Sequence, residues 1–420
     1  MRTLLALALR SAWNRRLTLG LTLAAVALSS LLLLGVERLR ADLRASFATS
    51  VSGVDLIVGA RGSPVALMLY SVFRMGEVTQ NVSWASAQWL AQHPAVAWTV
   101  PVSLGDSHRG YPVLGTTTAY FDHFRYGDRR ALALAEGRRF DELYEAVLGA
   151  EVAARLGYRL GQRITLAHGS GEGPGMEHGD KPFTVVGILA RTGTPVDRSV
   201  HISLESMEAL HLDWAGGAPI PGLSIPPALA RKFDLTPKAV TAVFVGLESR
   251  AAVFGVQREV NAHRDEALMG VLPGVALDEL WQLVAVAERY ARLVSMLVVA
   301  VGLTGLVAVV LAGLNERRRE LAILRSVGAR PRDVFALLAL EGGAVAALGA
   351  VAGAMLVAVL VLLLAPWLQA HYGLTLSGGA PSAQQWRLLA GIIGVGVLAS
   401  LIPGWRAYRL SLADGMTPRL

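Results

Sequence analysis

The sequence predicts an α-helical membrane protein: four transmembrane helices, with a large mixed α/β extracytoplasmic domain inserted between helices 1 and 2. Three observations predict it. Four stretches are apolar enough to cross a bilayer, the arginines gather unevenly beside them, and about 250 residues of alternating strand and helix patterns separate the first stretch from the second. Of the 420 residues 53% are hydrophobic and 17% charged, a balance that soluble domains do not reach. The formal charge of +7 does not point to nucleic acid, because the arginines flank the apolar stretches, where membrane topology accounts for them. The absence of cysteine excludes disulfides, Cys-ligated zinc and thiol catalysis together.

The first apolar stretch, Leu17–Val36, is twenty residues without a charge, roughly 30 Å of helix. It reads as an uncleaved span, since the run exceeds a signal-peptide core and Leu28–Val36 offers no small-x-small site. The second is Leu293–Leu314; the third lies within Val334–Leu368, broken only by Glu341; the fourth is Leu388–Trp405. Arg2, Arg10, Arg15 and Arg16 precede span one, six arginines lie between spans two and three, and Arg406, Arg409 and Arg419 follow span four. By contrast Trp367–Trp386, between spans three and four, holds none. Both termini and the central loop are therefore expected on the cytoplasmic face, and the inserted domain on the opposite one. The expected segments are 1–16 as cytoplasmic N-terminus, 17–38 as span one with the start of a stalk, and 39–288 as a periplasmic α/β domain of two lobes with stalk helices. Then follow 289–314 as span two, 315–333 as a cytoplasmic loop, 334–366 as span three, 367–387 as a short periplasmic loop, 388–405 as span four and 406–420 as a cytoplasmic tail.

Glu37–Ser50 contains no helix breaker and pairs Arg38 with Asp42 at helical spacing, so span one is expected to continue outward as a stalk. Leu280, Leu283, Val284, Ala287 and Ala291 form a matching apolar stripe leading into span two. Between them, Val54–Ala60, Val96–Leu104, Tyr111–Thr116, Gln162–Ala167, Pro182–Ala190 and Ala239–Leu247 read as strands. Helices are expected at Ser83–Gln92, with Ser83 as N-cap, at Leu148–Leu156 and at Ala251–Ala262. The Gly- and Pro-rich Ala215–Pro227 reads as a connection.

No GxxxxGK[ST] occurs, and the only lysines, Lys181, Lys232 and Lys238, follow no glycine-rich loop, so ATP-driven work needs a second polypeptide. HExxH and GxSxG are also missing, and no catalytic residue is expected; His201 reads as a packed or partly exposed strand residue. No metal site is expected either. His168 and His178 flank a Gly-rich loop with Glu172, Glu177 and Asp180, but the spacing fits no rigid ligand motif and the loop reads as a solvated hairpin tip. The apolar run Pro64–Phe73 has two readings: core, or a surface of Val65, Leu67, Met68, Leu69 and Phe73 that meets a lipid, an acyl chain or a partner. Glu341 is expected to pair with Arg330, Arg332 or the neighbouring span rather than relay protons. Gly349 and Gly353 form a GxxxG step that lets two helices approach closely.

The segment Asn315–Asp333, NERRRELAILRSVGARPRD, carries those six central arginines around a short amphipathic core. Leu321, Leu324 and Val327 recur three apart and Ile323 and Val327 four apart, while Gly328 and Pro331 supply a stop. This segment with its continuation, Glu316–Gly353, resembles the most characteristic part of the FtsX-like, macrolide-exporter (MacB) and lipoprotein-releasing permeases of ABC transporters. Ala146–Leu166, Phe183–Leu204 and Ile402–Met416 are similar to the same family, whereas Val65–Pro101 falls outside the resemblance. The resemblance implies a non-catalytic permease that couples ATP hydrolysis by a separate ATPase subunit to motions of its periplasmic domain, exporting or extracting a hydrophobic or lipidated molecule or peptide. The alternative it implies is a mechanotransmission subunit that activates a periplasmic or cell-wall partner and carries nothing. ATP and Mg would be bound by the ATPase, present in two copies, and this chain would hold no cofactor. A second permease copy, identical or paralogous, membrane lipids, and a periplasmic adaptor or substrate-binding protein are the other implied partners, in a bacterial inner membrane. Glu316–Gly328 would be the coupling helix: Glu316, Arg317, Arg318, Arg319 and Glu320 making polar contacts to the ATPase, Leu321, Leu324 and Val327 seating the helix, and Gly328 ending it.

Overall fold

The computed structural model describes residues 16–50, 52–76, 80–169, 176–215, 218–316, 318–372, 376 and 379–409. The chain divides into two compact units. One, the membrane unit, is Met1–Leu43, Ala285–Trp367 and Leu376–Leu420; the other, the outer unit, is Arg44–Val284 with Leu368–Thr375. Both main crossings between them fall inside long helices, α1 (Arg16–Thr49) and α4 (Pro273–Glu316), so the two stalks expected from the sequence are continuous helix with the spans.

The outer unit is built on one eleven-stranded sheet. Its strands are β1 (Leu56–Ala60), β2 (Val96–His108), β3 (Tyr111–Thr116), β4 (Leu134–Gly137), β5 (Glu145–Leu148), β6 (Arg163–Ile164), β7 (Ala167–His168), β8 (Phe183–Leu189), β9 (Val200–Ser203), β10 (Ala242–Leu247) and β11 (Leu268–Val271). The order is β11-β1-β10-β2-β3-β9-β5-β8-β4, with β7 added to β2 and β6 to β8. Two pairs, β3 with β9 and β5 with β8, are parallel; the other pairings are antiparallel. Side chains alternate between faces at period two. Ile57 and Phe244 enter one core cluster while Leu56, Val58, Val243 and Val245 enter another, and Leu114 and Val113 divide in the same way. One face therefore carries a single cluster and the other carries two. A sheet buried on both sides explains why the strands read as nearly continuous apolar runs, and why the sequence suggested two lobes where one sheet runs through.

The run Pro64–Phe73 is core. Helix α2 (Pro64–Ser71) starts at Ser63, whose Oγ accepts from the Ala66 amide at 3.3 Å, with Pro64 in the first turn, where a missing N–H costs nothing. Leu67 and Met68 are 0% and 2% exposed; Val65 and Phe73 are buried with them, and Leu69 packs partly buried against the same cluster. The helix can lie this close because β1 has a glycine beneath it: a Cβ at Gly59 would stand 2.4 Å from Leu67 Cδ1. The five residues offered as a partner surface are thus corrected to structural ones. An eight-residue helix that is apolar on nearly every side has no period in its sequence to reveal which side is buried.

The membrane unit contains the apolar parts of α1 and α4, with α6 (Pro331–Tyr372) and α7 (Ala383–Arg409). Among the described residues, four segments are long and apolar enough to cross a bilayer: Arg16–Ala45, Pro273–Leu314, Pro331–Leu368 and Ala383–Tyr408. Only 22–39% of their most apolar windows is buried within the chain. The remaining surface is what lipid or another chain covers.

Leu67→Ala should destabilise the protein by about 2–5 kcal/mol, read as a lower denaturation midpoint in detergent, whereas Met75→Ser, at an exposed site, should stay within about 0.5 kcal/mol. Burial pushes His201 down to about 3, helped by the charge on Arg74. The unfolded chain takes up that proton near its ordinary value of about 6.5, so stability falls as pH drops from there toward 3. His201→Gln should flatten the decline in melting temperature between about pH 6.5 and 4.5; an unchanged slope would contradict the buried neutral imidazole.

Candidate functional site

The segment between spans two and three folds as helix α5 (Arg318–Ser326). Its end is a Schellman stop. The Ala329 amide donates to the Leu324 carbonyl at 3.0 Å and the Gly328 amide to that of Arg325 at 3.1 Å, with Gly328 at φ +109°. Helix α6 begins at once: Pro331 occupies its first position, and the Arg330 amide donates to Asp333 Oδ2 at 2.8 Å, the reciprocal half of a capping box. The chain reverses in very few residues and leaves no slack.

The apolar stripe of α5 divides. Leu321 is 6% exposed and packs with Leu314, Val334, Leu338 and Ala407, with Leu324 and Leu311 partly buried against them. Ile323 and Val327, four apart, stand 56% and 83% exposed. The chain's own core therefore takes Leu321 and Leu324, and the outward apolar pair is Ile323 and Val327. Arg317 lies outside the described residues, as do the side chains of Glu316, Arg318, Arg319 and Glu320.

Small residues bring the spans together. A Cβ at Gly349 would meet Val26 at 2.8 Å, and one at Gly353 would meet the Ala27 carbonyl oxygen at 2.5 Å, so α6 lies against α1 at that step. Gly302 of α4 faces Ser29 of α1 in the same way, and Gly396 of α7 faces Ala346. Ser400 of α7 donates across to the Ala339 carbonyl of α6 at 3.0 Å. Glu341 is half-buried and has a partner within the chain.

At the outer ends of the spans α1 and α4 are clasped by charge, a feature the sequence reading missed except for the Arg38–Asp42 pair. Arg40 reaches Glu288 at 2.6 Å and Glu37 at 3.0 Å, and Glu37 also meets Arg292 at 3.3 Å. Arg38 holds Asp42 at 3.0 Å and donates to the Gly379 carbonyl at 3.1 Å. Glu37 and Asp42 are buried, so each needs these partners. Spacing of four could reveal Arg38–Asp42, but nothing local links Glu37 to residues some 250 positions away.

In the outer unit, His201 is fully buried against Tyr120, its Nδ1 3.2 Å from the Val147 carbonyl oxygen, a packing role as expected. His168 and His178 do not gather the carboxylates of their own loop: Glu177 and Asp180 are exposed, and Glu172 lies outside the described residues. They converge instead with His211, beside Asp106. Asp106 is held down to about 2 by hydrogen bonds from His168 and His211, against the burial that opposes it. Burial pushes His178 down to about 4.

Two protein families match the chain. Residues 17–262 match the MacB-like periplasmic core domain and residues 292–412 the FtsX-like permease C-terminal region. None of the curated proteins matches. Among solved structures, the chain is similar to the periplasmic region of MacB from Actinobacillus actinomycetemcomitans, with 12% identity and a TM-score of 0.34 over 56% of this chain and 94% of that one. It is also similar to the extracellular domain of the noncanonic ABC-type transporter YknZ from Gram-positive bacteria, with 13% identity and a TM-score of 0.29 over 52% of this chain and 98% of that one.

Gly353→Val should lower the melting temperature of the detergent-solubilised protein, because its Cβ meets backbone that has nowhere to go. Gly391→Val, on a helix face with nothing within 4 Å, is the control and should leave it nearly unchanged.

Proposed function

The chain belongs to the MacB-like, FtsX-like family of ABC transporter permeases, and from that membership we propose that it converts ATP hydrolysis by two copies of a cytoplasmic ATPase into movement of its periplasmic domain. It is a membrane protein of the bacterial inner membrane on this reading, acts with a second permease copy, and exports or extracts a hydrophobic or lipidated molecule or peptide. ATP and Mg are held by the ATPase, and this chain supplies no catalytic residue.

The observation that carries the reading is α5. A helix capped at its end, anchored by Leu321 and presenting Ile323 and Val327 to solvent, has the form of a helix that enters a groove on a partner. Leu321 and Leu324 tie it to α4, α6 and α7 through Leu314, Val334, Leu338 and Ala407, so a push on the outward pair reaches three spans. The seat in the ATPase accordingly shifts from Leu321, Leu324 and Val327 to Ile323 and Val327, with the neighbouring Glu316, Arg317, Arg318, Arg319 and Glu320 as its polar rim. Helices α1 and α4 are each unbroken, and Glu37, Arg40, Glu288 and Arg292 clasp one to the other.

The same continuity favours the second reading, mechanotransmission to a periplasmic or cell-wall partner with no transported substrate. The two differ in what stimulates the ATPase: small amphiphiles in the first, a protein partner alone in the second.

Ile323→Asp with Val327→Asp should weaken ATPase association by ~10-fold or more while the protein remains folded in the membrane. Co-purification of the ATPase at wild-type stoichiometry, with unaltered coupled activity in lipid, would remove α5 from the interface. Leu321→Asp should instead cost stability, because it places a charge in the chain's own core.

A further inference from the structure

Three elements of the outer unit meet at one buried carboxylate. Asp106 on β2 is paired in register with His168 on β7, and His211 follows the helix α3 (Leu204–Leu210). His168 Nδ1 lies 3.1 Å from Asp106 Oδ1, His211 Nε2 lies 3.4 Å from the same oxygen, and the two nitrogens are 3.2 Å apart. Ligand atoms at the corners of a tetrahedral site, each about 2.0–2.1 Å from the metal, are about 3.3–3.4 Å from one another. The three measured separations match that triangle.

The outer contacts agree. His211 Nδ1 is 2.9 Å from the Met207 carbonyl oxygen; donating its proton there leaves Nε2 with a free lone pair directed at the cluster, the arrangement that orients an imidazole for a metal. His178 is 1% exposed, and neither of its ring nitrogens has a hydrogen-bond partner among the described residues. Its ring centroid is 5.1 Å from that of His211 and 4.5 Å from that of Trp214, which walls the cluster. Asp106 Oδ2 is also buried without a partner. Simple hydrogen bonding satisfies the Asp106–His168–His211 triangle but leaves these three polar atoms idle. A cation at the triangle gives Asp106 Oδ2 a partner. The flanking cation, Lys181, is already paired with Asp213 and the Leu210 carbonyl. His168 and His211 are each about a third exposed, so an ion can reach the site.

We propose that Asp106, His168 and His211 bind a divalent transition-metal ion of the zinc class. Imidazole nitrogens with one carboxylate suit Zn(II) and exclude selectivity for Mg(II) or Ca(II), which need oxygen cages. A bound ion would staple β2, β7 and the turn after α3, and it does so whether or not the chain works as a permease.

The test uses the full chain without a histidine tag, purified in detergent and stripped with EDTA. Titration with Co(II) should give the intense visible absorption of four-coordinate cobalt at one equivalent per chain, displaced by Zn(II) and not by Mg(II), and Zn(II) should raise the melting temperature. His168→Ala and His211→Ala should each weaken binding by more than about tenfold, the loss that removing even an outer partner causes. The conservative Asp106→Asn should weaken it similarly, while His93→Ala, whose imidazole pairs with Glu259, should not. No four-coordinate spectrum with the wild-type protein, displacement by Mg(II) as readily as by Zn(II), or a spectrum that survives in the His168→Ala and His211→Ala variants would overturn the site.

Discussion

In a bilayer the tails are as apolar as the helices, so burying leucine against leucine gives spans no reason to associate; close approach of backbones does. The membrane unit depends on that constraint. Gly349 and Gly353 admit α1, Gly302 does so from α4, and Gly396 admits α6, each at a distance that a methyl group would forbid. Serines add hydrogen bonds where the approach allows, Ser29 to its own helix and Ser400 across to Ala339. Larger residues such as Leu303, Leu306 and Val345 fill what remains. Close fit at a few small residues holds the helices with little buried area, which leaves most of the apolar surface outward for lipid or a second copy.

Outside the hydrocarbon the solution changes, because charges can now be used. Glu37, Arg40, Glu288 and Arg292 join α1 to α4 by a shared network rather than an isolated pair, and a network of partly buried charges fixes register in a way that one exposed pair cannot. The outer unit answers with a different kind of stiffness: one sheet covered on both faces, in which α2 is embedded rather than presented. Leu67 over Gly59 is one of the contacts that supplies this core.

How much of this was legible follows from which forces are local. The spans and the helices that continue beyond them come from composition and from the 3.6-residue period, both readable over a short window. The Ser83 cap is local too, and the structure has its Oγ accepting from the Ser86 amide as the sequence suggested. The run Val65–Phe73 was ambiguous because uniform hydrophobicity has no period to show which side is in. The histidine cluster was hidden for another reason. Its sequence neighbours, Glu177 and Asp180, drew attention as ligands, while the residues that actually meet His168 are Asp106, 62 positions earlier, and His211, 43 positions later. Only the pairing of β7 with β2 and the placement of α3 bring them together, and sheet register is not written in any short motif.

The division of the α5 stripe carries the same lesson into mechanism. Three apolar residues at helical spacing can all face one partner, and that is the simplest reading of Leu321, Leu324 and Val327. A helix seated only by its partner would transmit little, since a push on it could be absorbed by rotation about its own axis. Sharing the apolar residues between two faces prevents this: Leu321 and Leu324 fix the helix to its own spans, while Ile323 and Val327 stay exposed. The Schellman stop at Gly328 and the immediate start of α6 at Pro331 then remove the slack from the far end. On the proposed coupling, a lever must be held on one side to be moved from the other, and the split stripe would provide both holds within the short stretch from Leu321 to Val327.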